Sequence, residues 1–189
     1  MEGGEKRKGE EVMRLDKDQI QSIKDRKLTY VKNFTVFDPK FDLNYLGEFI
    51  HRYGNVSTMW RNLPTDPYRP QNNYQLNENF TLRDLQGKSY FHPYIHFLNN
   101  LFLLPTAHKP TDCYAHISFS SLSGPPHHDT EDVFIIGMHG TTIIQTLPEK
   151  ENFFIEVGDL IYLPIFKEHK GIPLTPRIVM SIGMYNHRA

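Results

Sequence analysis

The chain has 189 residues, 39% hydrophobic and 13% aromatic, so it is long enough to bury one domain's core and too apolar to be a disordered polymer. A net charge of -1 gives no bulk attraction for a polyanion, so no nucleic-acid partner is expected. The lone Cys113 excludes an intramolecular disulfide, no window is apolar enough to span a membrane, and the charged start MEGGEKRKGEEVMR resembles no leader. A soluble cytoplasmic protein is the expectation.

Residues 1–18 mix charges with glycines and are expected to form a flexible tail. Residues 19–189 then form one domain, with a strand and helical layer over 19–110 and a β core over 111–189. LTYVKNF, from Leu28, reads as a first strand. The spacing of Leu43, Leu46 and Phe49/Ile50 predicts a helix over 41–53. The Pro- and Asn-rich stretch 62–79 reads as a loop, and Tyr68, Arg69 and Tyr74 make it a candidate lid. Short and longer helices are expected over 81–86 and 94–104.

After Pro110 the apolar period shifts to two. CYAHISFSS puts Tyr114, His116, Ser118 and Ser120 on one face and Cys113, Ala115, Ile117 and Phe119 on the other. DVFIIGMHG, TTIIQTL, FFIEV, DLIYLPI and RIVMSIGMY follow as strands. They are separated by Gly124-Pro125-Pro126, Pro148, Gly158-Asp159 and a turn over 171–176. Short strands at this spacing argue for an antiparallel sandwich or barrel, a mostly β core with an N-terminal helical layer.

The segment PHHDTEDVF carries the chemistry. On an extended chain i and i+2 share a face, so His127 and Asp129 project together and His128 points away. His128 would pair with Thr130, a poor ligand. A third ligand is His169, which follows Gly158-Asp159-Leu160-Ile161-Tyr162-Leu163-Pro164. Two imidazoles and one carboxylate form the facial triad of non-haem Fe(II) sites, with open positions left over. The bland reading of a lone His-x-Asp is a solvated surface pair, and only its ordered pairing with Gly-Asp…Pro…His raises it above that. His51, His92, His96, His108 and His187 read as surface residues, and His139 as structural.

His-x-Asp followed by Asp-Val-Phe, then Gly-Asp-x-x-Tyr-x-Pro and a histidine, resembles the JmjC-like, cupin-related Fe(II)- and 2-oxoglutarate-dependent oxygenases, closest to hydroxylases such as the ribosomal oxygenases. The likeness covers about residues 112–186. It implies a double-stranded β-helix, a cupin-like jelly-roll barrel with the metal at its mouth, and His127, Asp129 and His169 as iron ligands. It also implies oxidative decarboxylation of 2-oxoglutarate to succinate and carbon dioxide, coupled to hydroxylation of a C–H bond.

The family often binds the distal carboxylate of 2-oxoglutarate with a lysine after His-x-Asp, and Thr142 stands there instead. Other 2-oxoglutarate oxygenases use an arginine on the last strand. Arg177 in TPRIVMS matches that alternative, with Thr142, Tyr114, Ser118 and Ser181 as hydroxyl helpers. The expected substrate is a small molecule or a peptide side chain. With few residues after the last expected strand, the C-terminal helical segment of some protein hydroxylases is not expected. A metal-binding cupin working without 2-oxoglutarate, and a non-catalytic binding barrel, are the competing readings.

Overall fold

The computed structural model describes residues 13–37, 56–58, 79–102, 112–119 and 123–184, together with Asn44. The helix expected over 41–53 and the candidate lid lie outside the described residues, apart from Asn44 and Asn79. So do Ser120, His51, His108 and His187.

Asp16 starts helix α1 (Lys17–Lys24). Its carboxylate accepts from the Gln19 N–H at 2.8 Å, and the Gln19 side chain accepts from the Asp16 N–H at 2.9 Å, so two otherwise orphaned donors are satisfied. Met13 and Leu15 pack against the core, and the Arg14 N–H donates to the Phe34 carbonyl at 2.8 Å. The fold therefore takes up residues 13–18, which were expected in the tail. Those two apolar side chains are the reason.

The strands are β1 (Thr29–Val31), β2 (Val56–Thr58), β3 (Asn79–Leu82), β4 (Asp112–Ser118), β5 (Asp132–His139), β6 (Thr142–Thr146), β7 (Asn152–Ile155), β8 (Leu160–Leu163), β9 (His169–Pro173) and β10 (Arg177–Met184). Helix α2 covers His92–Phe102. A large sheet runs β1-β8-β5-β10-β4-β3-β2 and a small one β7-β6-β9, with antiparallel neighbours throughout. The N-terminal half is thus more than a helical layer, because β1, β2 and β3 extend the large sheet.

Apolar side chains occupy both faces of that sheet. Cys113, Ala115, Ile117, Phe134, Ile136, Met180 and Ile182 pack with Phe34, Phe91, Tyr94 and Leu98 on the helical side. Val133, Ile135, Ile161, Leu163 and Val179 face the other way and meet Ile144 and Ile155 of the small sheet. A strand covered on both faces reads as an unbroken apolar run, as β5 and β10 do. The result is a helix–sheet–sheet stack with the barrel interior between the sheets.

Two element expectations change. Thr81 and Leu82 end β3 instead of opening a helix, because Thr81 is β-branched and pairs with His116. Only Leu85–Gly87 turns, as a single 3₁₀ turn behind Asp84 at φ +60°. The turn expected over 171–176 is shorter, since residues up to Pro173 belong to β9, paired with β6. Pro173 is tolerated at the strand's end, where no ladder donor is needed.

Gly158-Asp159 is a structural hub. Gly158 sits at φ +89°, where a side chain is strained, and the carboxylate of Asp159 accepts from the Asn33 N–H, the Glu156 N–H and the Tyr30 hydroxyl. These bonds dock β1 onto the start of β8. Among the described residues no helix is long and apolar enough to cross a membrane.

Candidate metal centre and pocket

A cavity of about 280 Å³ opens between the sheets. Alternation from the ligand segment supplies its wall, with His127, Asp129, Glu131, Val133 and Ile135 all lining it. His128 projects outward instead, its ring against Phe166. The polar stripe of β4 (Tyr114, His116, Ser118) also faces the cavity, which decides the direction that the sequence leaves open.

At the mouth, one ligand atom each from His127, Asp129 and His169 lies within 4.8 Å of the others. His127 and His169 form an antiparallel bridge, their backbones exchanging bonds of 2.9 and 2.8 Å, and their rings lie 4.5 Å apart. Each ring is oriented by a backbone carbonyl: Nδ1 of His127 meets Pro125 O at 3.3 Å and Nδ1 of His169 meets Lys167 O at 3.0 Å. A carbonyl only accepts, so each Nδ1 donates, which leaves each Nε2 as the nitrogen available to a metal. Nε2 of His169 lies 3.7 Å from the Asp129 carboxylate. Burial holds His169 below its ordinary pKa, opposed by the Lys167 carbonyl. Two imidazoles fixed through Nδ1, beside a carboxylate, are a donor set that fits a divalent first-row metal.

Arg177 lies deeper, 8% exposed. Its Nη1 donates to the Thr142 hydroxyl and its Nε to Ser118 Oγ at 3.4 Å, while the Thr142 hydroxyl donates to Ile172 O at 3.0 Å. The guanidinium therefore bridges β10, β4 and β6. Among the described residues no carboxylate forms an ion pair with it. Burial lowers its pKa to about 10, so it stays charged at neutral pH. It lies flat against Gly171, where an added Cβ would come within 3.1 Å of Nη2. Gly171 is two residues beyond His169 on β9, so the cation is seated roughly 7 Å along the strand from the imidazole.

Ser181 and Tyr114 line the same cavity but face each other four residues farther along β10, about 13 Å of strand from Arg177. The Tyr114 phenol bonds Asp112, lies under Arg83 and has its pKa raised, first by burial. The helper set thus divides, with Thr142 and Ser118 on the guanidinium and Tyr114 and Ser181 at the far end.

Residues not assigned from the sequence also line the site. His116 sits beside Thr81 Oγ1, which is 3.1 Å from its Nδ1, and burial followed by the charge of Arg177 lowers its pKa to about 3. Glu131 falls on the ligand face by the same period of two, a signal that was legible. Asp132 faces away from the cavity, accepting from the Ile165 N–H at 2.9 Å and bonding Tyr162. His92 and His96 stack on the exposed side of α2, away from the cavity.

The sequence matches no family model and no curated protein. Solved structures do match. The ribosomal oxygenase YcfD of Escherichia coli aligns with a TM-score of 0.68 at 17% identity, over 95% of this chain and 55% of that one. The same protein solved with cobalt and 2-oxoglutarate aligns with a TM-score of 0.67 at 17% identity, over 95% and 54%. The chain thus spans about half the length of these structures. At this identity the likeness establishes the fold: the chain has the jelly-roll fold of the ribosomal oxygenase YcfD, in line with the family resemblance of its His-x-Asp and Gly-Asp motifs.

Proposed function

We propose that this chain is a non-haem Fe(II)- and 2-oxoglutarate-dependent dioxygenase that hydroxylates a small molecule or a peptide side chain. His127, Asp129 and His169 would hold the iron, and Arg177 would take the distal carboxylate of 2-oxoglutarate. The observation that carries this reading is the pairing in one cavity of a two-imidazole, one-carboxylate cluster at the mouth with a buried arginine whose side-chain partners among the described residues are hydroxyls. A ferrous ion bound at the mouth supplies open coordination positions and the redox chemistry towards dioxygen.

The chain's own residues do the rest. The Pro125 and Lys167 carbonyls fix the ring tautomers. Ser118 and Thr142 aim the guanidinium, whose remaining N–H groups offer a charge-assisted fork to a carboxylate. The separation of roughly 7 Å along β9 suits a five-carbon diacid reaching from one to the other. Val133, Ile135, Ile144 and Val179 keep the space between them apolar, which strengthens every charge interaction there. One similar structure was solved with cobalt and 2-oxoglutarate, a divalent ion and co-substrate of the kind this site would hold.

The test is production of succinate from 2-oxoglutarate by the purified chain. The expected outcome is succinate that requires both Fe(II) and oxygen. Iron binding without any such succinate would favour a metal-binding cupin that uses no 2-oxoglutarate.

A further inference from the structure

Helix α2 carries no charged side chain, although one of its faces lies in water and the whole chain is 23% charged. Tyr94, Ile95 and Leu98 are buried against the core. The opposite, exposed face presents His92, His96, Asn99 and Asn100. One helical turn separates His92 from His96 and another separates His96 from Asn100, so these three stand in a row. The two imidazoles are already aligned, their rings stacked at 12° with centroids 5.9 Å apart. Nδ2 of Asn100 lies 3.0 Å from Nε2 of His96. An amide N–H only donates, so this imidazole nitrogen accepts, and a nitrogen that accepts is one that can bind a cation. Neither histidine lines the cavity or belongs to the cluster at its mouth.

We propose that His92 and His96 form a second metal site, a surface chelate for a nitrogen-preferring divalent cation of the Ni(II), Cu(II) or Zn(II) class. Asn100 lends its amide oxygen as a third donor once the amide turns over. The site is independent of the oxygenase reading. Two histidines four residues apart on one helix face reach a single ion without ordering any loop, so the helix supplies the preorganisation. With metal–nitrogen bonds of about 2.1 Å and a tetrahedral angle, two ring centres on one ion sit roughly 5 Å apart. The observed 5.9 Å therefore needs side-chain rotation and no change in the helix. The donors also set the class of ion. The cluster at the mouth adds a carboxylate to its imidazoles, whereas α2 offers nitrogen and a neutral oxygen, a set that favours Ni(II) and Cu(II) over Fe(II). His92 opens the helix, where the backbone dipole opposes a cation, and water completes the coordination, so the expected affinity is roughly micromolar.

The test is isothermal titration of Ni(II), and of Fe(II) without oxygen, into the full chain carrying His169→Ala, which breaks the cluster at the mouth. The expected result is a Ni(II) site of roughly micromolar affinity, with Fe(II) at least about tenfold weaker. Adding His92→Ala or His96→Ala should each weaken Ni(II) binding about tenfold or more, because each leaves a single imidazole on the helix. Any histidine elsewhere in the chain is common to all these proteins, so only α2 differs between them. Both side chains are exposed, so melting without metal should stay within about 2 °C in either variant. The rise in melting temperature that Ni(II) gives the His169→Ala chain should be lost in both. Ni(II) affinity unchanged by these substitutions, or reduced by only one of them, would overturn the chelate. Equal affinity for Fe(II) and Ni(II) would overturn the class of ion assigned to it.

Discussion

Gly171 shows how much of this site depends on single atoms. Its backbone needs no glycine, yet a Cβ there would crowd the Arg177 guanidinium. Gly171→Ala should therefore push the cation off the Thr142 and Ser118 hydroxyls. The expected outcome is about a tenfold rise in the 2-oxoglutarate concentration giving half-maximal succinate, with iron affinity within about twofold, read by parallel titrations. Equal losses of both would place the effect in general disruption of β9. At this scale the candidate ligands were legible, because a period of two sorts His127 and Asp129 from His128 without any tertiary knowledge. Gly171 and His116 were not, since their roles come from cross-strand neighbours distant in sequence. The meeting of Arg177 with Thr142 joins strands of different sheets, and only the resemblance to 2-oxoglutarate oxygenases pointed to it.

The segment from β8 to β9 is the element that sets the mouth. Asp132 accepts from Ile165 and bonds Tyr162, so it holds the loop whose far end orients His169 through Lys167 O. The nearby Arg26, 4.0 Å away and 43% exposed, adds little. Asp132→Ala should lower stability by about 1–3 kcal/mol, through the abandoned Ile165 N–H, and weaken iron binding about tenfold. Chemical denaturation and a metal competition titration check the two effects. Strands such as β4, β5 and β10 were readable because alternation or unbroken apolar runs bounded by turn residues are strong signals. β9 was not, as Gly171 and Pro173 read as turn chemistry and their tolerance depends on an arginine and a strand end. β3 was missed because Asn79–Leu82 has too little pattern to compete with a helical reading.

For the whole molecule, three layers place the polar stripe of β4 inside a largely apolar barrel. His116 is the clearest consequence. Its folded-state pKa of about 3 lies below its ordinary 6.5, so the folded protein resists a proton that the unfolded chain accepts. Stability from this group is complete above pH 6.5 and is lost as pH falls towards 3. The contribution is about 1.4 kcal/mol per pH unit within that window. His116→Gln should make the acid limb of a stability–pH curve shallower by one proton, and an unchanged slope would mean that the imidazole is not shielded. An antiparallel β sandwich or barrel was legible from strand spacing and its jelly-roll form only from the family resemblance, whereas the addition of β1, β2 and β3 to its sheet was not, because edge pairing leaves little trace in short segments.

The claim that joins these scales is that metal and diacid occupy one site. Anaerobic addition of 2-oxoglutarate to the chain loaded with Fe(II), followed by visible absorption, addresses it most directly. The expected result is a metal-to-ligand charge-transfer band that saturates with 2-oxoglutarate, is absent in His169→Ala and persists in His128→Ala. Iron binding with no band, or a band of equal strength in His169→Ala, would contradict it.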